Sequence, residues 1–265
     1  MISLFINWDI NPILVELGPI QIRWYGLLFA ASFFIGLKLM GNMLKKDGAP
    51  EAWLDKLFIY VIVGTVAGAR LGHVIFYDLN YYLSNPAEII MIWKGGLASH
   101  GAAIGIIISC YLFAKKVANK SILWVLDRVV LTVIVAAILI RTGNLMNSEI
   151  IGEPTEVAWA FIFERIDALP RHPAQLYEAL TYLLIAGLMH FLYWKKHAGN
   201  KTGFLFGMFL TLVFTARFFI EFVKANQVDF EANMVLNMGQ ILSIPAAIAG
   251  IIFMLKAKNT LHETK

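Results

Sequence analysis

The sequence predicts an all-α, polytopic membrane protein with seven transmembrane helices. Of its 265 residues, 59% are hydrophobic and only 15% are charged, whereas soluble globular domains carry about 25% charged residues. Several apolar runs approach the roughly 20 residues that a helix needs to cross a bilayer. No proline-, glycine- or serine-rich linker divides the chain. We therefore expect one membrane domain over residues 1–265, with a more polar insertion at 144–172.

Seven apolar runs account for the predicted spans. They cover residues 24–44, 57–77, 96–114, 122–140, 177–194, 203–223 and 236–255. Another apolar run, at 87–93, is too short to cross a bilayer and fits a re-entrant or interfacial segment.

The lysines predict the orientation. They flank the first, third and fifth connections and follow the last span: Lys45, Lys46, Lys56, Lys115, Lys116, Lys120, Lys195, Lys196, Lys201, Lys256, Lys258 and Lys265. The positive-inside rule places these connections in the cytoplasm. The N-terminus and the insertion at 144–172 are then outside, and the C-terminus is cytoplasmic.

Most arginines lie on the outer side, opposite to the lysines. Six of the seven fall toward the outer ends of spans or in outer loops: Arg23, Arg70, Arg141, Arg165, Arg171 and Arg217. Arginine suits a bidentate grip on phosphate or carboxylate. The distribution therefore indicates an anionic ligand in the outer half of the membrane. The alternative is a set of arginines that snorkel to lipid headgroups.

The stretch 140–152 concentrates polar side chains at a predicted helix end. Its hydrogen-bonding residues and glycines are Arg141, Gly143, Asn144, Asn147, Glu149 and Gly152. Such groups are costly at membrane depth, and glycine lets the backbone approach a ligand closely. These polar residues form either a binding site or a polar helix cap at the lipid–water interface.

Two further patterns favour proton and phosphate chemistry. His100 lies on a glycine-rich turn, and a histidine's unperturbed pKa of about 6.5 suits proton transfer, although a single histidine is often only a packed residue. Arg217 and Glu221 share one helix face through their i,i+4 spacing. They form either an internal ion pair that lowers the cost of insertion, or a cation held ready for a phosphate.

Several site classes have no sequence support. The six histidines contain no HExxH motif or i,i+4 pair, and Cys110 is the only cysteine, which argues against a metal site or an intramolecular disulfide. No phosphate loop and no basic–aromatic stripe for nucleic acid are present. We expect no metal, no cofactor and no nucleic-acid partner.

Together these stretches resemble the bacterial prolipoprotein diacylglyceryl transferase family. The family signature is Gly-Arg-x-(Gly/Ala)-Asn-Phe-x-Asn-x-Glu-x-x-Gly. The positions that match it are Arg141, Gly143, Asn144, Asn147, Glu149 and Gly152. Ile140 and Leu145 depart from the signature, both with apolar residues. Further similar blocks lie around Tyr25, Arg70, His100, residues 172–178, Arg217 with Glu221, and residues 238–243; Ala102 replaces a common glycine.

The resemblance implies a reaction. The family transfers the diacylglyceryl group of phosphatidylglycerol to the lipobox cysteine of a preprolipoprotein, forming a thioether and releasing glycerol 1-phosphate. It acts from the bacterial cytoplasmic membrane, with seven spans and a small periplasmic head. The resemblance implies that His100, Arg141 and Arg217 are catalytic. The substrate-binding residues it implies are Arg141, Asn144, Glu149, Gly152, Tyr25, Arg70, Glu221, Gln175, Tyr177 and Glu178.

Two other classes compete with this interpretation. A transporter of an anionic lipid or solute also has buried charges, but it is expected to show broken helices in paired repeats, and none is evident in the sequence. An intramembrane hydrolase needs a nucleophile beside a base. Ser99 is the only serine near His100 in sequence, and adjacent helical residues point apart.

The lysine distribution generates a testable topology. A reporter fused after Lys265 should report the cytoplasm, and one inserted at 153–156 should report the outer side. A cytoplasmic signal from the insertion would overturn the predicted orientation and separate the predicted site from secreted substrates.

Overall fold

A computed structural model describes residues 5–226, 231 and 234–259. Lys265, which contributes to the predicted orientation, lies outside this part. The chain forms two compact units. One combines Met1–Leu39 with Asp127–Lys265, and the other is Met40–Leu126. The single domain over 1–265 and the head at 144–172 stay predictions, as does the orientation.

The helices account for most of the described residues. In chain order they are α1 (Trp24–Lys46), α2 (Ala52–Phe76), α3 (Leu79–Ser84), α4 (Ser99–Phe113), α5 (Ile122–Asn147), α6 (Ala174–Lys195), α7 (Phe204–Ile220) and α8 (Met238–Lys256). All except the short α3 belong to a helix long and apolar enough to cross a membrane. The predicted seven spans are therefore confirmed within the described chain.

One helix boundary differs from prediction in a way that matters for the site. The predicted fourth span ends at residue 140, but α5 continues to Asn147. Arg141 and Asn144 consequently lie in the last turns of a helix and not in a loop. The short run at 87–93 forms two 3₁₀ segments, Pro86–Ile90 and Ile92–Lys94.

Short strands supplement the helices and were not predicted. They are β1 (Ile6–Trp8), β2 (Ile13–Leu17), β3 (Ile20–Arg23), β4 (Phe161–Phe163), β5 (Pro170–Arg171), β6 (Lys201–Thr202) and β7 (Lys258–Asn259). Three sheets result, with orders β1-β4-β5, β2-β3 and β6-β7. In the first, β1 runs parallel to β4, with Ile6 opposite Phe161, and β5 runs antiparallel to β4.

The three-stranded sheet lies against the end of α5. Leu145, Phe161 and Phe163 form a small buried apolar cluster, with Trp8 and Leu176 among the residues packed on it. The Trp8 indole N–H donates a 2.9 Å hydrogen bond to the Leu145 carbonyl. The polar insertion thus shares a small apolar core with β1 and the start of α6, which fixes the chain that follows α5.

In the Met40–Leu126 unit, α2 and α4 pack backbone against backbone. A Cβ on Gly68 would lie 2.4 Å from the Gly101 carbonyl oxygen, and one on Gly105 would lie 2.0 Å from that of Gly64. Gly64 and Gly68 are one turn apart, as are Gly101 and Gly105. Small residues at this spacing let membrane helices approach closely and gain packing contacts.

In the other unit, a buried carboxylate joins α5 to α7. Asp127 is fully buried on α5. It accepts hydrogen bonds from the backbone N–H of Gly203 at 2.7 Å and of Phe206 at 2.8 Å. These are two of the N–H groups that a helix start leaves without partners. Asp127 therefore caps α7 from a helix far away in sequence.

The backbone contact between α2 and α4 predicts the effect of adding one methyl group. Gly68→Ala should lower the free energy of unfolding by about 1–3 kcal/mol, because the new Cβ meets backbone that cannot move aside. Gly187 on α6 is the matched control, since nothing lies within 4 Å of its would-be Cβ. Gly187→Ala should instead stabilise by roughly 0.4–1 kcal/mol. Unfolding of both variants in detergent micelles checks this, and equal effects would contradict it.

Candidate active site

The predicted motif forms a hydrogen-bonded group at the end of α5. Arg141 Nη1 donates to Asn144 Oδ1 at 3.3 Å, and Asn144 Nδ2 donates to Glu149 Oε2 at 3.0 Å. Asn147 Nδ2 donates to the other Glu149 oxygen, also at 3.0 Å. Asn144 is buried and Glu149 is exposed. One carboxylate thereby fixes both amides, and one amide orients the arginine.

Arg141 also forms an ion pair with a fully buried carboxylate on α6. Its Nε lies 2.6 Å from Glu178 Oε2, and the Glu178 side chain has no exposed surface. Among the described residues, neither Glu178 oxygen accepts an aligned hydrogen bond. The contact between Arg141 and Glu178 is therefore an ion pair and not an aligned hydrogen bond. An unpaired buried carboxylate would be strongly unfavourable, so Glu178 requires the neighbouring cations.

A second group of charges continues from Glu178. Lys224 Nζ lies 4.0 Å from Glu178 Oε1 and donates to Glu221 Oε1 at 2.8 Å. Arg217 Nε lies 3.4 Å from the same Glu221 oxygen. Asn237 Nδ2 donates to Glu221 Oε2 at 3.3 Å. The ion pairs thus form one chain of charges in the order Arg141, Glu178, Lys224, Glu221 and Arg217.

The last glycine of the motif permits a close backbone contact. Gly152 forms an antiparallel bridge with Lys224. A Cβ at Gly152 would lie 2.5 Å from the His172 carbonyl oxygen and 2.6 Å from that of Val223. Only glycine fits between these two segments. The motif therefore positions Lys224 through its backbone.

Tyr25 and Gln175 contact the motif from other helices. Tyr25, on α1, packs on Gly143, where a Cβ would lie 2.9 Å from the Tyr25 ring. The fully buried Gln175, on α6, donates through Nε2 to the Glu149 backbone carbonyl at 2.6 Å. Both predicted residues thus help to fix the end of α5.

Tyr177 belongs to a separate hydrogen-bond chain. Its hydroxyl oxygen accepts from Trp159 Nε1 at 2.8 Å and lies 3.1 Å from His172 Nδ1. The tautomer of His172 decides which of the two groups donates in the contact between Nδ1 and the Tyr177 hydroxyl. Partial burial lowers the pKa of His172. The lowered pKa favours the neutral form of His172.

A surface ion pair steadies β5 next to this chain. The Arg171 side chain donates hydrogen bonds to Asp167, and these hold the pKa of that carboxyl below its ordinary value. Arg171 Nη1 also donates to the Gly152 carbonyl at 3.2 Å. Both of these partners of Arg171 thus belong to the insertion at 144–172.

Arg70 and His100 belong to the Met40–Leu126 unit. Arg70 is buried, and its guanidinium donates to the backbone carbonyls of Glu88, Ile89, Gly95 and Gly96. It therefore holds the loop that leads into α4. His100 is exposed in the first turn of α4. Substrate binding by Arg70 and catalysis by His100 stay predictions.

The first unit brings together the remaining predicted residues. It joins Tyr25, Arg141, Asn144, Glu149, Gly152, Gln175, Tyr177, Glu178, Arg217 and Glu221. Lys224 and Asn237 were not predicted as site residues. Lys224 follows Glu221 at an i,i+3 spacing, which was visible beside the Arg217–Glu221 pair. Asn237 starts a capping box with Gln240 at the N-terminus of α8, a pattern also readable in sequence.

Comparison with known proteins shows the family of the chain. The model of the family "Prolipoprotein diacylglyceryl transferase" matches residues 12–256. A relative from Chloroherpeton thalassium is 51% identical, over 96% of this chain and 95% of the relative. One from Tolumonas auensis is 48% identical over 94% and 96%, and one from Porphyromonas gingivalis 47% over 98% and 97%. All three carry the name phosphatidylglycerol–prolipoprotein diacylglyceryl transferase. The chain belongs to the prolipoprotein diacylglyceryl transferase family.

Proposed function

We propose that the protein is an enzyme that transfers the diacylglyceryl group of phosphatidylglycerol to the lipobox cysteine of preprolipoproteins. The products are a thioether-linked lipoprotein precursor and glycerol 1-phosphate. Membership in a transferase family favours this reaction over a transporter or a hydrolase. The observation that carries the proposal is the chain of charges, in which Arg141 and Arg217 lie on helices apolar enough to cross a membrane and each pairs with a buried carboxylate.

The reaction requires a sulfur–carbon bond to replace a carbon–oxygen bond. The cysteine thiolate attacks the glycerol CH₂ that carries the phosphate, and the electron pair of the broken bond leaves with the phosphate oxygen. The phosphodiester monoanion thereby becomes a phosphomonoester dianion. The thiol proton must be removed before or during attack, because the thiolate is the nucleophile.

The arginines suit the charge that develops on the leaving phosphate. Both contact their carboxylates through Nε, and the Arg217 side chain is 35% exposed. Fixed cations aimed at a group that gains charge stabilise the transition state more than the ground state. Asn144 and Glu149 orient Arg141 and the headgroup in this scheme.

Two sources of the thiolate are compatible with these residues. His100 is the candidate base on the residues that the family pattern matches. The positive potential of Arg141 and Arg217 is the alternative, since nearby cations lower the pKa of a thiol. Tyr25 lies beside the motif, where its hydroxyl can donate near the reacting carbon.

The location follows from the same substrates. We propose that the chain resides in the bacterial cytoplasmic membrane as a multi-pass protein, with its site toward the periplasm. Phosphatidylglycerol and other membrane lipids reach it there, as do secreted preprolipoproteins with their lipobox cysteines. Seven apolar helices support membrane insertion.

A reconstituted assay tests the function directly. Purified protein, phosphatidylglycerol and a lipobox peptide should yield a peptide heavier by one diacylglyceryl group, with glycerol 1-phosphate in equal amount. A peptide with serine in place of the cysteine should remain unmodified. Release of phosphatidylglycerol fragments without peptide modification would point to a hydrolase instead.

Arg141→Lys tests the paired N–H donors of the guanidinium separately from its positive charge. Lysine keeps the positive charge but loses the paired donors, so we expect turnover to fall by about 10²–10³ with folding preserved. Arg165→Lys is the matched control, because Arg165 is exposed and bonds to Ser148 and the Met146 carbonyl. Wild-type turnover in Arg141→Lys would remove Arg141 from phosphate recognition.

His100→Gln separates a base from a packing residue. If His100 removes the thiol proton, the glutamine variant should lose roughly 10²–10⁴ in rate near neutrality. The loss should shrink as the pH rises toward the thiol's own pKa of about 8.5, where the thiolate forms unaided. The pH–rate profiles of both enzymes from about pH 6 to 9 measure this, and parallel profiles would exclude His100 as the base.

A further inference from the structure

Lys224 occupies an unusual position for a lysine. Only 5% of its side chain is exposed, and its ammonium lies between two buried carboxylates. Glu221 accepts its hydrogen bond at 2.8 Å, and Glu178 lies 4.0 Å away. A lysine is rarely fully buried unless it is paired. Lys224 is therefore part of the interior charge arrangement and not a surface cation.

The backbone of Lys224 is held by the motif that follows α5. The segment around it pairs with the motif on both sides of the Gly152–Lys224 bridge. Glu153 N–H donates to the Val223 carbonyl at 2.9 Å, and Ala225 N–H donates to the Ile151 carbonyl at 3.1 Å. The position of the ammonium is thus tied to the same residues that orient Arg141.

Lys224 also decides the net charge of the buried chain. Arg141, Lys224 and Arg217 supply three cations, and Glu178 and Glu221 supply two carboxylates. Among these five groups, one positive charge is in excess. Glu149 adds no direct contact with these cations, because it is exposed and reaches Arg141 only through Asn144. Without Lys224 the chain of charges is neutral, and its two carboxylates face each other without a cation between them.

We propose that Lys224 is a positioning residue for phosphodiester cleavage at this site. It holds Glu178 and Glu221 so that each keeps its arginine in place, and it supplies the excess charge that matches the developing phosphomonoester. The proposal rests on the proposed function, because it assigns the excess charge to the leaving phosphate. It extends that function to a residue outside the family signature quoted above.

Five variants test the proposal, and one of them is Glu221→Gln alone, which supplies the second single effect for the double variant. Lys224→Met removes the charge at similar length, and Lys224→Arg retains it. Lys224→Met combined with Glu221→Gln removes one charge of each sign, so the excess positive charge returns. Lys116→Met is the matched control at an exposed lysine. If Lys224→Met does not fold, Lys224→Gln takes its place as the neutral variant.

The expected result separates charge from packing. Lys224→Met should lower kcat about 30-fold or more, with KM for the lipobox peptide unchanged. Lys224→Arg should recover most of that loss, and Lys116→Met should match the wild type. The double variant should be faster than Lys224→Met alone. Wild-type kcat in Lys224→Met, equal losses in Lys224→Arg, or a double variant as slow as the product of the single effects would each overturn the proposal.

A binding measurement distinguishes this proposal from the proposed function. Inorganic phosphate should raise the thermal unfolding temperature of the wild type, and this rise should disappear in Lys224→Met and return in the double variant. The measurement involves no turnover. Phosphate binding that depends on Lys224 without any diacylglyceryl transfer would refute the function and retain the charge assignment. Transfer with phosphate binding independent of Lys224 would refute the charge assignment alone.

Discussion

The cost of burying ionised groups governs the arrangement of the candidate active site. Glu178 and Glu221 lie within the structure at 0% and 7% side-chain exposure, and such carboxylates are tolerated only beside cations. Arg141, Lys224 and Arg217 provide them. Each cation is in turn restrained by its carboxylates, so the positions of all five groups depend on one another. The proposed phosphate site thereby holds its cations in fixed positions.

Elsewhere in the protein, backbone groups provide the contacts of a buried arginine and of two packed helices. The Arg70 guanidinium donates its hydrogen bonds to the backbone carbonyls of a loop, which would otherwise need water. The glycines of α2 and α4 allow backbone contact instead of side-chain packing. Arg70 and Arg141 therefore look alike in sequence, as arginines near the ends of spans. Only their partners distinguish a cation that organises a loop from one that belongs to a charged site.

The sequence predicted most of the helices because long apolar runs leave few other structures in a membrane. It also predicted Arg141, Asn144 and Glu149 as a group, since they lie within one short motif. It did not predict β4 and β5, whose few residues carry little periodicity. It missed Lys224, because the contacts with Glu178 and Gly152 that bury it come from segments distant in sequence. Local patterns identify residue types, whereas burial depends on long-range pairing.

The Asp127 cap carries a consequence for biogenesis. Its acceptor oxygens and the Gly203 N–H that they bind are 76 residues apart. In a chain made from its N-terminus, the carboxylate of α5 reaches the membrane before the helix that it caps. Until α7 arrives, the partners of that carboxylate are the neighbouring Arg128 and water near the start of α5. When α7 docks, backbone N–H groups replace this water as partners of the carboxylate. The assembly of the two helices is therefore a dehydration step, and it follows the synthesis of most of the chain.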